Sequence, residues 1–334
     1  MAENTKWVIS GAPHVHGPES VTKIMWGVVI ALIPSFLVSV YFFGMQALLL
    51  TVVTVLSCLV FEYLINRFFF KRPCSLGDGS AMITGLLLAL NLPSGLPLWM
   101  AIVGSLVAIG IAKWAYGGLG QNPFNPALVG RVFLLISFPA AMTQWAAPKA
   151  LFGGTALTDA FSGATPLGFA KEALKTGMPA SEIANSLPAY SDLFFGNMAG
   201  SMGEISAIAI LLGGIYMLCR KIITWHIPVT FLGSAFLFSG ILWLCSPDKF
   251  MDPVFHLLTG GIMLGAVFMA TDMVTSPMTA KGKIIFGIGC GVLTVLIRTF
   301  GAYPEGVSFA ILIMNAFVPL INRGSTPKRF ATSK

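Results

Sequence analysis

The sequence predicts an all-α integral membrane protein of about ten transmembrane helices, arranged as two inverted five-helix repeats with both termini in the cytoplasm. Three observations predict it. First, only 10% of the 334 residues are charged and 56% are apolar, with a mean hydropathy of +0.83. Soluble domains carry roughly a quarter charged residues, so this chain has too few to cover a water-facing surface. Second, apolar runs recur along its length, most of them near the roughly 17–25 residues needed to cross a bilayer. Third, Lys and Arg are distributed unevenly between alternate connections.

The runs lie near 24–43, 45–65, 80–92, 97–115, 127–146, 204–219, 225–245, 254–272, 284–299 and 306–321. The third is short and stops at Asn91-Leu92-Pro93, which predicts a half-helix or a broken one. Such backbone is tolerated at membrane depth only inside protein or beside a cavity. With the N-terminus inside and the spans alternating, Lys149, Lys171, Lys175, Lys249 and Arg298 fall outside, and the other fifteen of the twenty cations fall inside. That is the positive-inside bias. It divides the chain into a cytoplasmic segment 1–23, a first half 24–146, an extracytoplasmic loop 147–203, a second half 204–321 and a cytoplasmic tail 322–334. The same bias accounts for the net charge of +7, so basicity here does not point to nucleic acid. No short apolar region with a small-residue cleavage site precedes Ile24, and a secretory signal is not expected.

The two halves resemble each other weakly. ITGLLLA at 83–89 matches LTGGIML at 258–264, and GQNPFNPALVGRVFLL at 120–135 matches GAYPEGVSFAILIMNA at 301–316. Five spans per half would invert the second copy, the plan of many transporters.

Several chemistries are argued against. The five cysteines are scattered without a C-x-x-C pair, against an iron–sulfur cluster or a disulfide framework. No phosphate-cradling or dinucleotide-binding glycine motif occurs. His14 and His16 are too few for a metal site, and no metal is expected.

The stretch DAFSGATP at 159–166 is small, polar and flexible amid membrane-grade sequence. Its plain reading is a helix start, with Thr165 as N-cap and Pro166 at the first helical position, followed by about three turns ending at Gly177. The same geometry also suits a phosphate, because free N–H groups at a helix N-terminus favour an anion. Thr165 has no base beside it, so it would accept a modification rather than act as a nucleophile on its own.

Asp159, Ser162, Gly163, Ala164 and Thr165 resemble the D-x-x-[ST]-G-A-T sequence on which flavin transferases join FMN to threonine by a phosphoester bond. APH at 12–14, NPFNPALVGRVF at 122–133, MATDMVTSP at 269–277 and YPEGVSFAILIMN at 303–315 extend the likeness over nearly the whole chain. It is similar to the family that groups the D subunits of Rnf-type ferredoxin:NAD oxidoreductase complexes with the B subunits of sodium-translocating NADH:quinone oxidoreductases. Its length and Pro166 favour the Rnf side. The resemblance implies a redox subunit, not catalytic alone, in the bacterial inner membrane. Its FMN would be held covalently on Thr165 at the extracytoplasmic side, and the complex would couple electron transfer to Na+ or H+ movement. Riboflavin, bound non-covalently in the sister subunit, is a second cofactor to consider. The implied partners are the other complex subunits, including a flavin-bearing extracytoplasmic one, a flavin transferase for maturation, and membrane lipid. The alternatives are the quinone-reductase B subunit and a stand-alone channel or transporter for a small solute.

A second candidate group, for a flavin or an ion, comprises Asp272, Thr275, Asn125 and Arg131. Asp272 ends a span, where an acid is costly and a functional candidate by default. The plain readings are a capped helix-end acid for Asp272 and a snorkelling interfacial anchor for Arg131. Glu62, one turn before Arg67, is expected to pair with interfacial charge. Asp78 is expected to cap the third segment.

Overall fold

The computed structural model describes residues 20–71, 76–146, the backbone of 162–163, 165–196 and 198–326. Fifteen helices occur among them. In the first half, α1 (Val21–Phe43) turns at Gly44 into α2 (Met45–Phe70). A single residue suffices because Gly44, at φ +68°, both ends α1 and starts α2, a conformation glycine adopts without penalty. Then follow α3 (Ser80–Leu90), α4 (Leu98–Tyr116), α5 (Pro126–Ser137) and the short α6 (Pro139–Met142). Asp78 accepts from the backbone N–H and the hydroxyl of Ser80 at the start of α3, as expected of it. Strands β1 (Trp145–Ala146) and β2 (Ser162–Gly163) pair antiparallel. Three small helices, α7 (Pro166–Lys175), α8 (Ala180–Ser186) and α9 (Tyr190–Phe195), share a core of Leu167, Ile183, Leu193 and Phe255.

The second half comprises α10 (Ala207–Cys219), α11 (His226–Cys245), α12 (Pro253–Leu258), α13 (Ile262–Leu264, continued by a π-turn to Met269), α14 (Ala280–Phe300) and α15 (Val307–Gly324). Three pairs of helices start at constant spacing: α2 at 45 and α11 at 226, α4 at 98 and α14 at 280, α5 at 126 and α15 at 307, offsets of 181, 182 and 181. Packing repeats too. α2 lies on α3 and α4, and α11 lies on α12 and α14, while α1 meets α10 and α5 meets α15. The second sequence match, at 120–135 and 301–316, shares this spacing. The first does not share a conformation: 83–89 lies within α3, while 258–264 straddles the break between α12 and α13.

Among the described residues, six helices are long and apolar enough to cross a membrane: α1, α2, α4, α11, α14 and α15. α3, α5 and α10 are apolar but shorter, so ten runs do not become ten full spans. The reasons are local. α3 stops where the Asn91 amide donates to the Leu87 carbonyl at 2.6 Å and the chain turns into Pro93. The run 254–272 breaks at Thr259–Gly261, with Gly260 at φ +69°. There Arg298 of α14 donates to the His256 and Thr259 carbonyls at 2.6 and 3.0 Å, replacing helix bonds lost at the break. Large apolar side chains such as Ile30, Leu37, Leu56, Val60, Leu237 and Ile241 remain exposed on α1, α2 and α11. This is what a lipid-facing surface requires. The protein is an all-α, multi-pass membrane protein.

Close helix contacts rest on small residues. On α14 a Cβ at Gly291 would stand 2.5 Å from the Phe231 carbonyl of α11, so the two backbones approach as only glycine allows.

Candidate functional site

Thr165 sits at the N-cap of α7 with extended backbone, followed by Pro166 at the first helical position. Its Oγ1 accepts the Gly168 N–H at 2.9 Å, as an N-cap side chain should. α7 runs to Lys175, and Gly177 follows at φ +89°, close to the stop expected from the sequence. Of the preceding motif, Ser162 and Gly163 lie in β2 against Trp145 and Ala146. Asp159 and Ala164 lie outside the described residues, as do His14 and His16.

Thr165 is only 4% exposed, yet it lines a cleft of about 330 Å3. The α7 side of the cleft presents Thr165, Gly168, Lys171, Glu172 and Lys175, spaced three or four apart so that they share one helix face. Trp145 and Tyr303 also line it, as do Arg131 and Glu305. Lys171 Nζ donates to the carbonyls of Gly301 and Tyr303 at 2.6 and 2.8 Å, tying α7 to the loop before α15. Burial, with Lys175 nearby adding to it, lowers the Lys171 pKa from its ordinary value.

Arg131 does not snorkel, contrary to expectation. It is 4% exposed and donates to Asn91 Oδ1 and Ser308 Oγ, each at 2.9 Å, and to Glu305. The reason is that α5 is an inner helix, packed on α3, α4 and α15, so Arg131 faces protein and a buried carboxylate rather than lipid. Its Nε and Glu305 Oε1 have no partner among the described residues.

The second candidate group therefore splits. Asp272, Thr275 and Asn125 do come together, at the opposite end of α5. Asn125 caps α5, accepting from the N–H groups of Ala127 and Leu128 while its amide donates to the Met269 carbonyl at 3.2 Å. Asp272 accepts from the Thr275 hydroxyl at 3.1 Å and the Val274 N–H. Asn315, its amide turned to donate to the Thr275 carbonyl, accepts from the Asn125 N–H. Asn125 and Asp272 line a smaller cavity of about 80 Å3 together with Ser80, Thr84, Lys113 and Asn122. Arg131, six residues further along α5, belongs to the Thr165 side instead.

Glu62 does not pair at the interface either. It forms an ion pair with Lys113 at 2.6 Å, each side chain 1% exposed, and Lys113 also donates to Ser80 Oγ at 2.7 Å. α2 and α4 pack together, which carries both charges inside. Among the described residues, no three His, Cys, Asp or Glu side chains gather as a metal site.

The sequence reading missed Lys171, Lys175, Trp145, Tyr303 and Glu305 as parts of the cleft. The three-or-four spacing from Thr165 through Lys175 was the available signal for the lysines. Nothing in the sequence joins Glu305 to Arg131, 174 residues apart.

The fold and this arrangement define a class: a multi-pass membrane protein built from long, short and broken helices, with polar cavities at the two ends of a central short helix. The chain belongs to the NQR2, RnfD, RnfE family, whose profile matches residues 8–331. It is 45% identical over 333 residues to the D subunit of the proton-translocating ferredoxin:NAD(+) oxidoreductase complex of Clostridium ljungdahlii, covering 98% of this chain and 97% of that protein. It is 43% identical to the D subunit of the Na(+)-translocating ferredoxin:NAD(+) oxidoreductase complex of Acetobacterium woodii, covering 98% and 96%. It is also 43% identical to the D subunit of the ion-translocating oxidoreductase complex of Stutzerimonas stutzeri, covering 93% and 92%.

Proposed function

We propose that this chain is the D-type membrane subunit of an Rnf-type complex that couples ferredoxin:NAD electron transfer to ion translocation, carrying FMN on Thr165 by a phosphoester bond. The family and its relatives' names support the first part. The observation that carries the second is the setting of Thr165: a helix N-cap opening on a cleft with two lysines and two aromatic rings, at the end of the S-G-A-T sequence.

The residues present suit the group. Oγ1 accepts from Gly168 but donates to none of the described residues, so esterification costs it no donated bond among them. Lys171 and Lys175 and the first-turn N–H groups of α7 favour a phosphate. Trp145 and Tyr303 offer apolar walls of the kind a flat ring packs against. Arg131 Nε and Glu305 Oε1 supply one unused donor and one unused acceptor, buried and without partners among the described residues. FMN, when bound, supplies one- and two-electron redox chemistry, which the protein tunes by position and hydrogen bonds. Because Thr165 is nearly buried, the attaching enzyme must reach it before the chain packs around it.

In this reading the Thr165 face is extracytoplasmic, as the Lys and Arg distribution supports. The Asp272 cavity then opens toward the cytoplasm, and the matching helix offsets are what an inverted repeat of five and five elements would produce. Neighbouring subunits handle ferredoxin and NAD, for which this chain carries no recognisable motif. A non-covalent riboflavin, the second cofactor to consider, would be held at the Asp272 cavity, whose lining includes Thr84, Asn122 and Asn125.

The test is peptide mass spectrometry, with in-gel fluorescence, on the chain from its native membrane. An FMN-sized adduct on the peptide bearing Thr165, absent from Thr165→Ala and retained in Thr165→Ser, is expected. An unmodified Thr165 in cells with an active flavin transferase would overturn the covalent reading and return Thr165 to a helix cap. The stand-alone transporter reading would then be tested by solute flux through the purified chain in liposomes.

A further inference from the structure

α7 separates two cavities. On the side away from Thr165 lies one of about 230 Å3. Its walls include Phe250, Phe255 and Phe300, its floor is His256 and Arg298, and its rim carries Lys249 beside the two α7 lysines. None of the residues lining it is Asp or Glu.

Arg298 is 3% exposed and His256 6% exposed. The two terminal nitrogens of Arg298 are committed to the carbonyls at the end of α12. Among the described residues its Nε has no partner, and neither does His256 Nδ1. Arg298 forms no ion pair among the described residues, where the pairs are Lys113–Glu62 and Arg131–Glu305. Glu204, 5% exposed, is a carboxylate that acts on Arg298 through space, but it acts on Arg131 as well and pairs directly with neither, so the buried guanidinium is only partly balanced. The carbonyl end of a short helix offsets at most about half a charge. The cavity therefore has cationic walls, no carboxylate in its lining, and at its floor a guanidinium N–H without a partner among the described residues.

Its position narrows the ligand. It lies at the Phe300 end of α14, a membrane-crossing helix, where Phe300 is 66% exposed and meets Phe250 edge-on at 6.3 Å. Exposed aromatic rings beside an exposed lysine are the side chains found at headgroup level. We propose that this cavity binds a phosphate-bearing anion, supplied by a membrane phospholipid: the headgroup phosphate enters between Lys249 and Arg298, and the acyl chains leave over Phe300 and Leu174. Free phosphate shares the recognising chemistry and is the other source. The proposal does not depend on a flavin at Thr165: Lys171 and Lys175 border both cavities, but Lys249, His256 and Arg298 line this one and not the Thr165 cleft.

The experiment uses the complete complex, delipidated in detergent and titrated with dioleoylphosphatidylglycerol, with dioleoylglycerol, or with inorganic phosphate. Native mass spectrometry reads the ligands retained on this subunit. One phosphatidylglycerol held more tightly than the neutral diacylglycerol is expected. Lys249→Gln, an exposed change that leaves the fold intact, should weaken it about fivefold, the effect of one cation near an anionic headgroup. Arg298→Gln should weaken it further where that variant folds. If inorganic phosphate binds with the same dependence on Lys249 while phosphatidylglycerol does not, the anion site stands and its source is free phosphate. If Lys249→Gln changes neither, or if diacylglycerol is retained as well as phosphatidylglycerol, the proposal is overturned.

Discussion

Replacing Glu62 by Gln leaves the Lys113 ammonium buried, 1% exposed, without its carboxylate. At 2.6 Å the gross attraction is on the order of 6 kcal/mol at an effective dielectric of about 20, but much of this only offsets desolvation of the two ions. What the variant adds is an uncompensated buried charge, and breaking such a pair costs about 3–5 kcal/mol. Unfolding entropy of about 2.1 cal/mol/K per residue gives, for 334 residues, about 0.7 kcal/mol/K. The expected loss of Tm is therefore about 4–7 °C, read by scanning fluorimetry in detergent. The double variant Glu62→Leu/Lys113→Met removes both charges and should recover most of the loss, because apolar replacement of a whole buried pair is often neutral. An unchanged Tm for Glu62→Gln, or a double variant as unstable as the single, would refute the argument that the pair is kept by mutual dependence rather than by net attraction.

Three further outcomes follow from the same kind of reasoning. Thr165→Ala should destabilise α7 by about 1 kcal/mol through loss of its cap, with Thr165→Ser near wild type; hydrogen exchange at Gly168 is the readout. Gly213→Ala should weaken the packing of α1 on α10, because the added methyl meets the Ala31 carbonyl oxygen and stands 2.8 Å from Phe268; a fall in Tm of several degrees is expected. Tyr190 donates to Asp252, and burial, this hydrogen bond and the Asp252 charge push its phenol up to about 12. The folded form is thus favoured fully below the ordinary value of about 10, and this contribution is lost as pH rises through about 12. Absorbance at 295 nm should show a late-titrating component that is lost in Tyr190→Phe.

The sequence by itself determined what local rules govern. The apolar runs fixed the membrane class, because no soluble surface can be made from so few charges. The starts of α5, α7 and α12 follow from Asn, Thr or Asp placed before Pro, where a side chain caps the helix and proline lacks only an N–H that would be unused. The early stop of α3 was foreseeable from Asn91-Leu92-Pro93. Tertiary structure decided what depends on which faces meet. Lys113, Arg131 and Arg298 read alike along the chain as cations beside apolar runs, yet all three are buried. One is paired with Glu62, one with Glu305, and one bonds the broken end of α12. Their partners lie 51, 174 and 39–42 residues away in sequence, beyond the reach of helical periodicity. For the same reason the sequence could mark Thr165 as a cap but could not surround it. The cleft exists only because α7 lies against the loop before α15, held there by Lys171 on two carbonyls, and a contact between segments so far apart is set by packing rather than by any local pattern.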